Sequence, residues 1–133
     1  ALIKTLSRDG VKLNVTAVLS YAQVEIAFKA LSKKTPAVIS VFCGRIADTG
    51  RDPIKIMKKS LRLLKEKPLI ELLWASPREL LNIFQAAGIG CHIITCTNDI
   101  LKKLPAIGKD LEEFSLETVQ MFVRDMQAAS LTL

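Results

Sequence analysis

Seven residues of this chain have the types and spacing to do chemistry together: Asn14, Thr16, Ser40, Phe42, Arg45, Ser76 and Arg78. Asn14 and Thr16 are two apart, so on a strand they share one face while Leu13, Val15 and Ala17 share the other. Polar groups on a strand covered on both sides are costly unless paired. The pair is therefore either a polar wall inside a barrel or a set of satisfied core groups, and spacing alone leaves both open. Ser40 and Phe42 repeat the arrangement at the end of a second strand, and Arg45 follows Gly44 in the next loop. A guanidinium there suits an anion; the alternative is a surface arginine paired with Asp48 or Asp52. Ser76 and Arg78 stand where the pattern predicts a helix start, whose free N–H groups and dipole favour phosphate, unless Ser76 merely caps. Planar guanidinium forks bind phosphate oxygens bidentately, so Arg45 with Arg78 would make a sugar-phosphate clamp.

Other reactive side chains are set aside on similar grounds. Cys43, Cys91 and Cys96 are an odd set without CxxC spacing and read as reduced core thiols. The single histidine, His92, adjoins Cys91 on what would be the opposite face of a strand, which leaves zinc short of ligands. His92 also falls early in its strand, which fits a structural role better than a catalytic one. Lys55, Lys58, Lys59 and Arg62 form a basic helix face, but with aromatics at 5% of the chain nothing is interleaved to stack on bases, so it reads as a solvated face and not as a nucleic-acid site. Asn14-Val15-Thr16 matches a glycosylation sequon, discarded for a buried strand. Trp74, Phe84 and Phe114 read as core or packing residues.

The elements that must position these residues alternate between two periods. Ala1–Ser7 carries Leu2, Ile3 and Leu6 at helical spacing and stops at Asp9-Gly10. KLNVTAVL, residues 12–19, is a strand by its β-branched alternation, after which Ser20 and Gln23 form a capping box for a helix carrying Val24, Ala27, Phe28 and Leu31. AVISVF, residues 37–42, is the second strand. A loop follows, and then a helix with Asp52 as cap, Pro53 at its first position and Ile54, Met57, Leu61 and Leu64 facing inward. Ile70–Trp74 is the third strand, and Ser76-Pro77-Arg78-Glu79 reads as a capping box starting a helix to about Ala87. CHIITC, residues 91–96, is the fourth strand. Thr97 or Asn98 caps a short helix through Leu104, and Ser115 caps a last helix with Leu116, Val119, Phe122, Val123 and Met126 on one face. Strands alternating with helices predict right-handed crossovers and a parallel sheet. In such folds function gathers at the C-terminal ends of strands, where the seven residues fall.

Composition supports a single packed domain over 1–133. The chain has 133 residues, half of them hydrophobic, and 19 Lys+Arg against 13 Asp+Glu give a net charge of +6. With 24% charged residues, 6 Gly and 5 Pro, it is neither disordered nor low-complexity. No apolar run approaches the ~20 residues of a membrane helix, and the N-terminal stretch lacks a signal-peptide pattern. The expectation from these features is a cytoplasmic chain with no membrane partner.

KLNVTAVLS, ISVFCGRIADTGRD, LLWASPREL and GCHIITCTNDILKKL, in this order, resemble the second half of the barrel in the transaldolase family, which includes fructose 6-phosphate aldolase. The resemblance covers nearly the whole chain. It implies a TIM-type (β/α)8 barrel of which these are strands five to eight, and a class I enzyme of carbohydrate and pentose phosphate metabolism that works through a lysine Schiff base on strand four. By the same resemblance Asn14 and Thr16 are catalytic, the asparagine positioning the bound ketose and the threonine helping to hold a water. Ser40 and Phe42 bind substrate, and Arg45, Ser76 and Arg78 bind phosphate. Phe42 stands where the aldolase branch has a proton-transferring tyrosine, a departure that favours the transferase branch. Pro77 replaces the family's more usual aromatic.

The resemblance also implies that the Schiff-base lysine and its acidic partners lie upstream of Ala1, since Lys12 enters at the wrong end of its strand. The expectation is a sugar-phosphate-binding half of an enzyme that transfers a dihydroxyacetone unit between sugar phosphates, without metal or cofactor. Alone the chain would be inactive, as a fragment, one half of a split enzyme or a truncated product. The alternatives are a non-catalytic sugar-phosphate-binding or assembly subunit and a fructose 6-phosphate aldolase-type lyase. Four strands of a barrel expose two edges, so the expected protein partner is the N-terminal half-barrel or a second copy of the chain. The competing fold is a small open α/β sheet with helices on both faces.

Overall fold

A computed structural model of the chain describes residues 1–129, which fall into two compact units, Ala1–Leu101 and the part from Lys102 onward. In the first unit the strands β1 (Leu13–Val18), β2 (Ala37–Val41), β3 (Ile70–Trp74) and β4 (Ile93–Ile94) form one parallel sheet in sequential order. The helices are α1 (Leu2–Arg8), α2 (Tyr21–Ala30), α3 (Cys43–Ala47), α4 (Ile54–Leu64), α5 (Leu81–Gly88) and α6 (Asn98–Leu101).

Strand parity decides which side the helices cover. Val15, Ile39 and Leu72 stand in register across β1, β2 and β3. They pack in one cluster with Val24, Phe28 and Leu31 from α2 and around α2, and with Met57 and Leu64 of α4. The other parity, with Asn14, Val38 and Glu71 in one row and Ser40, Leu73 and Ile93 in the next, contributes nothing to that cluster. The sheet thus has one face that builds this helix-packed cluster and an opposite face that does not, an α/β arrangement consistent with half of a TIM-type barrel.

Several local expectations hold and several shift for identifiable reasons. Ser20 caps α2, its side chain accepting from the Gln23 N–H in a complete capping box. Asp52 Oδ1 accepts from the Ile54 N–H at 2.8 Å, and α4 starts one residue past Pro53. The Arg45 segment, expected as a loop, forms the short helix α3. β4 is two residues long where six were expected. Ahead of it, His92 Nδ1 accepts the Leu72 N–H at 2.9 Å and the Cys91 thiol donates to the Leu72 carbonyl at 3.3 Å. The side chains of Cys91 and His92 thus engage the β3 backbone that a longer strand would have paired, and they reach the same residue despite their expected opposite faces. α5 starts at Leu81 and not at Pro77, because Ser76 has φ +55°, outside the extended conformation of an N-cap.

The second unit holds a 3₁₀ turn, Leu104–Ala106, and α7, Leu111–Ala128. Its cap is Asp110, five residues ahead of the expected cap Ser115, with Oδ1 accepting from the Glu112 and Glu113 N–H groups at 3.0 Å each. Leu116, Val119, Phe122 and Val123 are exposed along α7. Of the three aromatics read as core, Trp74 is buried, whereas Phe84 and Phe114 are about half exposed. Phe114 instead receives Lys109 Nζ over its ring. No described helix is long and apolar enough to cross a membrane.

Candidate functional site

Asn14 and Ser40 share the sheet face opposite the core cluster, and Thr16, two residues past Asn14, is exposed where the β1–β2 register becomes irregular. The Ser40 hydroxyl, on a residue only 3% exposed, donates to Asn14 Oδ1 at 2.7 Å. The bond satisfies the buried hydroxyl and engages the acceptor of Asn14, so the exposed carboxamide offers its Nδ2 hydrogens outward. Of the pair Asn14 and Thr16, the structure thus ties Asn14 to Ser40 and leaves Thr16 exposed.

Thr16 is exposed and precedes Ala17, whose φ of 59° marks an irregularity in the β1–β2 register between Val15 and Val18. Bulges of this kind re-aim side chains next to functional sites. Pairing resumes beyond it, where the Phe42 N–H donates to the Val18 carbonyl at 2.8 Å. Phe42 is half-buried at the start of α3. Its ring has no ionisable proton, so proton transfer at this position needs another group.

Arg45 is exposed on α3 between the buried Gly44 and Ile46. Among the described residues no carboxylate stands within ion-pair distance of it. The acid weighed as its partner, Asp48, instead accepts from Arg78, Nη2 to Oδ2 at 2.6 Å, with both side chains about half exposed. Ser76 is half-buried and does not cap a helix. The backbone N–H groups of Arg78 and Glu79 are taken by Asn82 Oδ1 at 2.8 and 3.0 Å, so they are not free for an anion. The N–H groups that a helix start at Pro77 would have left open are thus engaged within the loop.

The loop carrying Ser76 and Arg78 crosses directly over the start of α3. Gly44 N–H points to the Ala75 carbonyl at 3.4 Å, and a Cβ built on Gly44 would stand 1.6 Å from the Ser76 carbonyl oxygen and 3.1 Å from Arg78 Nε. Arg78 also lines a cavity of about 360 Å³ with Arg51, Glu79, Asn82 and Gln85, beside Trp74 and Cys43 of the helix-packed face. Arg45 does not line it. Burial pushes the Cys43 thiol far above its ordinary range, with Cys91 adding to the shift, so Cys43 is a protonated core group and no nucleophile. Sequence reasoning missed the roles of Gly44, Asp48 and Asn82. The available signals were the glycine just ahead of Arg45 and the Asn82 amide four residues past Arg78.

Comparison with known proteins follows the same residues. The family model described as "Transaldolase/Fructose-6-phosphate aldolase" matches residues 1–133. A protein of Clostridium kluyveri named "Probable transaldolase" is 32% identical over 103 residues, covering 77% of this chain and 46% of its own length. Proteins of the same name from Herpetosiphon aurantiacus and Kosmotoga olearia are 30% identical over 123 residues and 32% over 116, covering 90% and 84% of this chain and 54% and 51% of theirs. The chain spans about half the length of the curated relatives it matches.

Proposed function

Because the chain belongs to the transaldolase/fructose-6-phosphate aldolase family, we propose that it supplies the sugar-phosphate-binding half of a class I enzyme that moves a dihydroxyacetone unit between sugar phosphates. The observation that supports this reading is the Ser40–Asn14 hydrogen bond on the face of the parallel sheet opposite the core cluster, with Thr16 exposed two residues further along β1. In the reaction a lysine amine outside these four strands condenses with the ketose carbonyl and releases water. The C3–C4 bond then breaks to release an aldose, the retained three-carbon unit adds to an acceptor aldehyde, and water frees the product. In this half, Asn14 Nδ2 donates to a ketose oxygen, Thr16 holds the water, and Ser40 fixes the Asn14 carboxamide. Arg45, the uncommitted guanidinium, takes the phosphate together with Ser76 and Arg78. Phe42 offers no hydroxyl, which favours transfer over the lyase branch. The edges of the sheet, β1 and β4, join the N-terminal half-barrel or a second copy.

Calorimetry with fructose 6-phosphate tests the reading. Arg45→Ala should weaken binding about 10- to 100-fold, the worth of one charged hydrogen bond. Binding indifferent to the substitution would remove the clamp. Borohydride trapping with the same sugar should leave every lysine of residues 1–133 unmodified. An adduct on any of them would relocate the nucleophile into this half.

A further inference from the structure

The phosphate-binding set comes from two loops that are not adjacent in sequence. Arg45 lies on α3 after β2, and Ser76 and Arg78 follow β3. Something must hold the second loop against the first. The place where they cross is Gly44, with no room for a side chain: a Cβ there would meet the Ser76 carbonyl oxygen at 1.6 Å and its carbon at 2.8 Å, both of them backbone atoms that cannot swing aside. One α-helical turn along the same segment, Asp48 grips Arg78 at 2.6 Å. The far side of the loop is pinned by Asn82 Oδ1 on the N–H groups of Arg78 and Glu79. Ser76, between these anchors, sits at φ +55°, a conformation that L residues keep only when their surroundings impose it.

We infer that Gly44 and Asp48 are positioning residues for phosphate recognition: Gly44 lets the Ser76 backbone lie against α3 next to Arg45, and Asp48 fixes the Arg78 guanidinium by one nitrogen, leaving its remaining donors for the phosphate. The inference rests on the reading of Arg45, Ser76 and Arg78 as the phosphate-binding set and adds what aligns them. It also sets a sign that a purely electrostatic role would reverse. Removing a carboxylate beside an anion site tightens anion binding by charge alone, whereas removing an anchor that orients a guanidinium weakens it.

The test is calorimetric titration of fructose 6-phosphate into the parent protein and the variants Arg45→Ala, Gly44→Ala, Asp48→Asn and Asp48→Glu, with circular dichroism of each. Gly44→Ala should weaken binding about tenfold or more, and Asp48→Asn several-fold, while Asp48→Glu, which can still reach Arg78, recovers affinity toward the parent value. Should Gly44→Ala fail to fold, Asp48→Asn decides alone, since a half-exposed ion pair contributes little to stability. Unchanged affinity in Gly44→Ala, or tighter binding in Asp48→Asn, while Arg45→Ala still weakens binding about 10- to 100-fold, overturns this inference and leaves the clamp standing. A parent protein that does not bind the phosphosugar overturns the clamp and the inference together.

Discussion

The two ends of the sheet in the first unit are built on opposite terms. Where the strands begin, polar groups are tied off. Ser7, fully buried, accepts the Ser32 N–H on its hydroxyl at 2.9 Å and the Thr35 hydroxyl on its carbonyl at 2.7 Å. Lys67 Nζ donates to the Phe28 and Leu31 carbonyls at the end of α2 and lies over the Phe28 ring. His92 and Cys91 close on Leu72. Where the strands finish stand both non-glycine residues with positive φ among the described residues, Ala17 next to the exposed Thr16 and Ser76 two residues before the exposed Arg78, and Arg45 is exposed. One end closes its hydrogen bonds internally. The other holds left-handed backbone and exposed charge.

The largest expected effect breaks the first end. Ser7→Ala orphans the Ser32 N–H, and Lys67→Met strips two carbonyls of a charged donor that also caps α2. Each should cost about 2 kcal/mol, the order expected for losing such bonds, read as a lower urea midpoint at constant slope. Neither should change phosphosugar affinity. A parallel loss of affinity would show that the two ends are coupled and that the division drawn here is wrong.

Much of this division was legible in the chain, and the parts that were not share one cause. The two-residue alternation at Asn14 and Thr16 and the capping box at Ser20 are local patterns, and the structure follows them. The Ser76-Pro77-Arg78-Glu79 segment has equally good local form yet does not start the helix. Its backbone is set by Gly44 and Asp48, about thirty residues earlier, and no local window contains them. β4 shortens for a similar reason, since Cys91 and His92 bond across to Leu72. Asp48, weighed with Asp52 as a partner of Arg45 because it lies near it in sequence, faces Arg78 in space. Tertiary contacts overrode local form at both ends of the sheet, in the loop after β3 and at the start of β4.

A smaller effect sharpens the comparison from beneath the site. Cys43 lies just past β2 on the functional side yet is wholly buried, and burial raises its pKa above the ordinary 9.0. In the folded chain the thiol keeps its proton, whereas the unfolded chain releases it above pH 9. Stability from this group is thus intact below pH 9 and is lost as pH climbs toward the folded pKa. The loss should reach about 1.4 kcal/mol at pH 10. Thermal unfolding between pH 8 and 10 should show a shallower decline in Cys43→Ala than in the parent. Identical slopes would mean that water reaches the thiol, and that the floor under the functional end is not dry.

The smallest effect separates strain from binding at the functional end itself. A left-handed backbone costs an L residue about 1–2 kcal/mol, and glycine returns that cost less about 0.5–1 kcal/mol of chain entropy. Ala17→Gly and Ser76→Gly should therefore each stabilise the protein by about 0.5 kcal/mol, visible as a small rise in melting temperature. The two should part company in phosphosugar titrations. Ala17 carries no donor, so its replacement should leave affinity within about twofold, a margin smaller than one hydrogen bond. Ser76→Gly removes a hydroxyl from the phosphate-binding set and should weaken binding while the fold gains. If both variants gain stability and neither loses affinity, the strain at Ser76 serves only the crossing over Gly44, and its hydroxyl takes no part in recognition. If Ser76→Gly loses stability, the left-handed turn is held in place by the side chain, and the account of Gly44 as its cause fails with it.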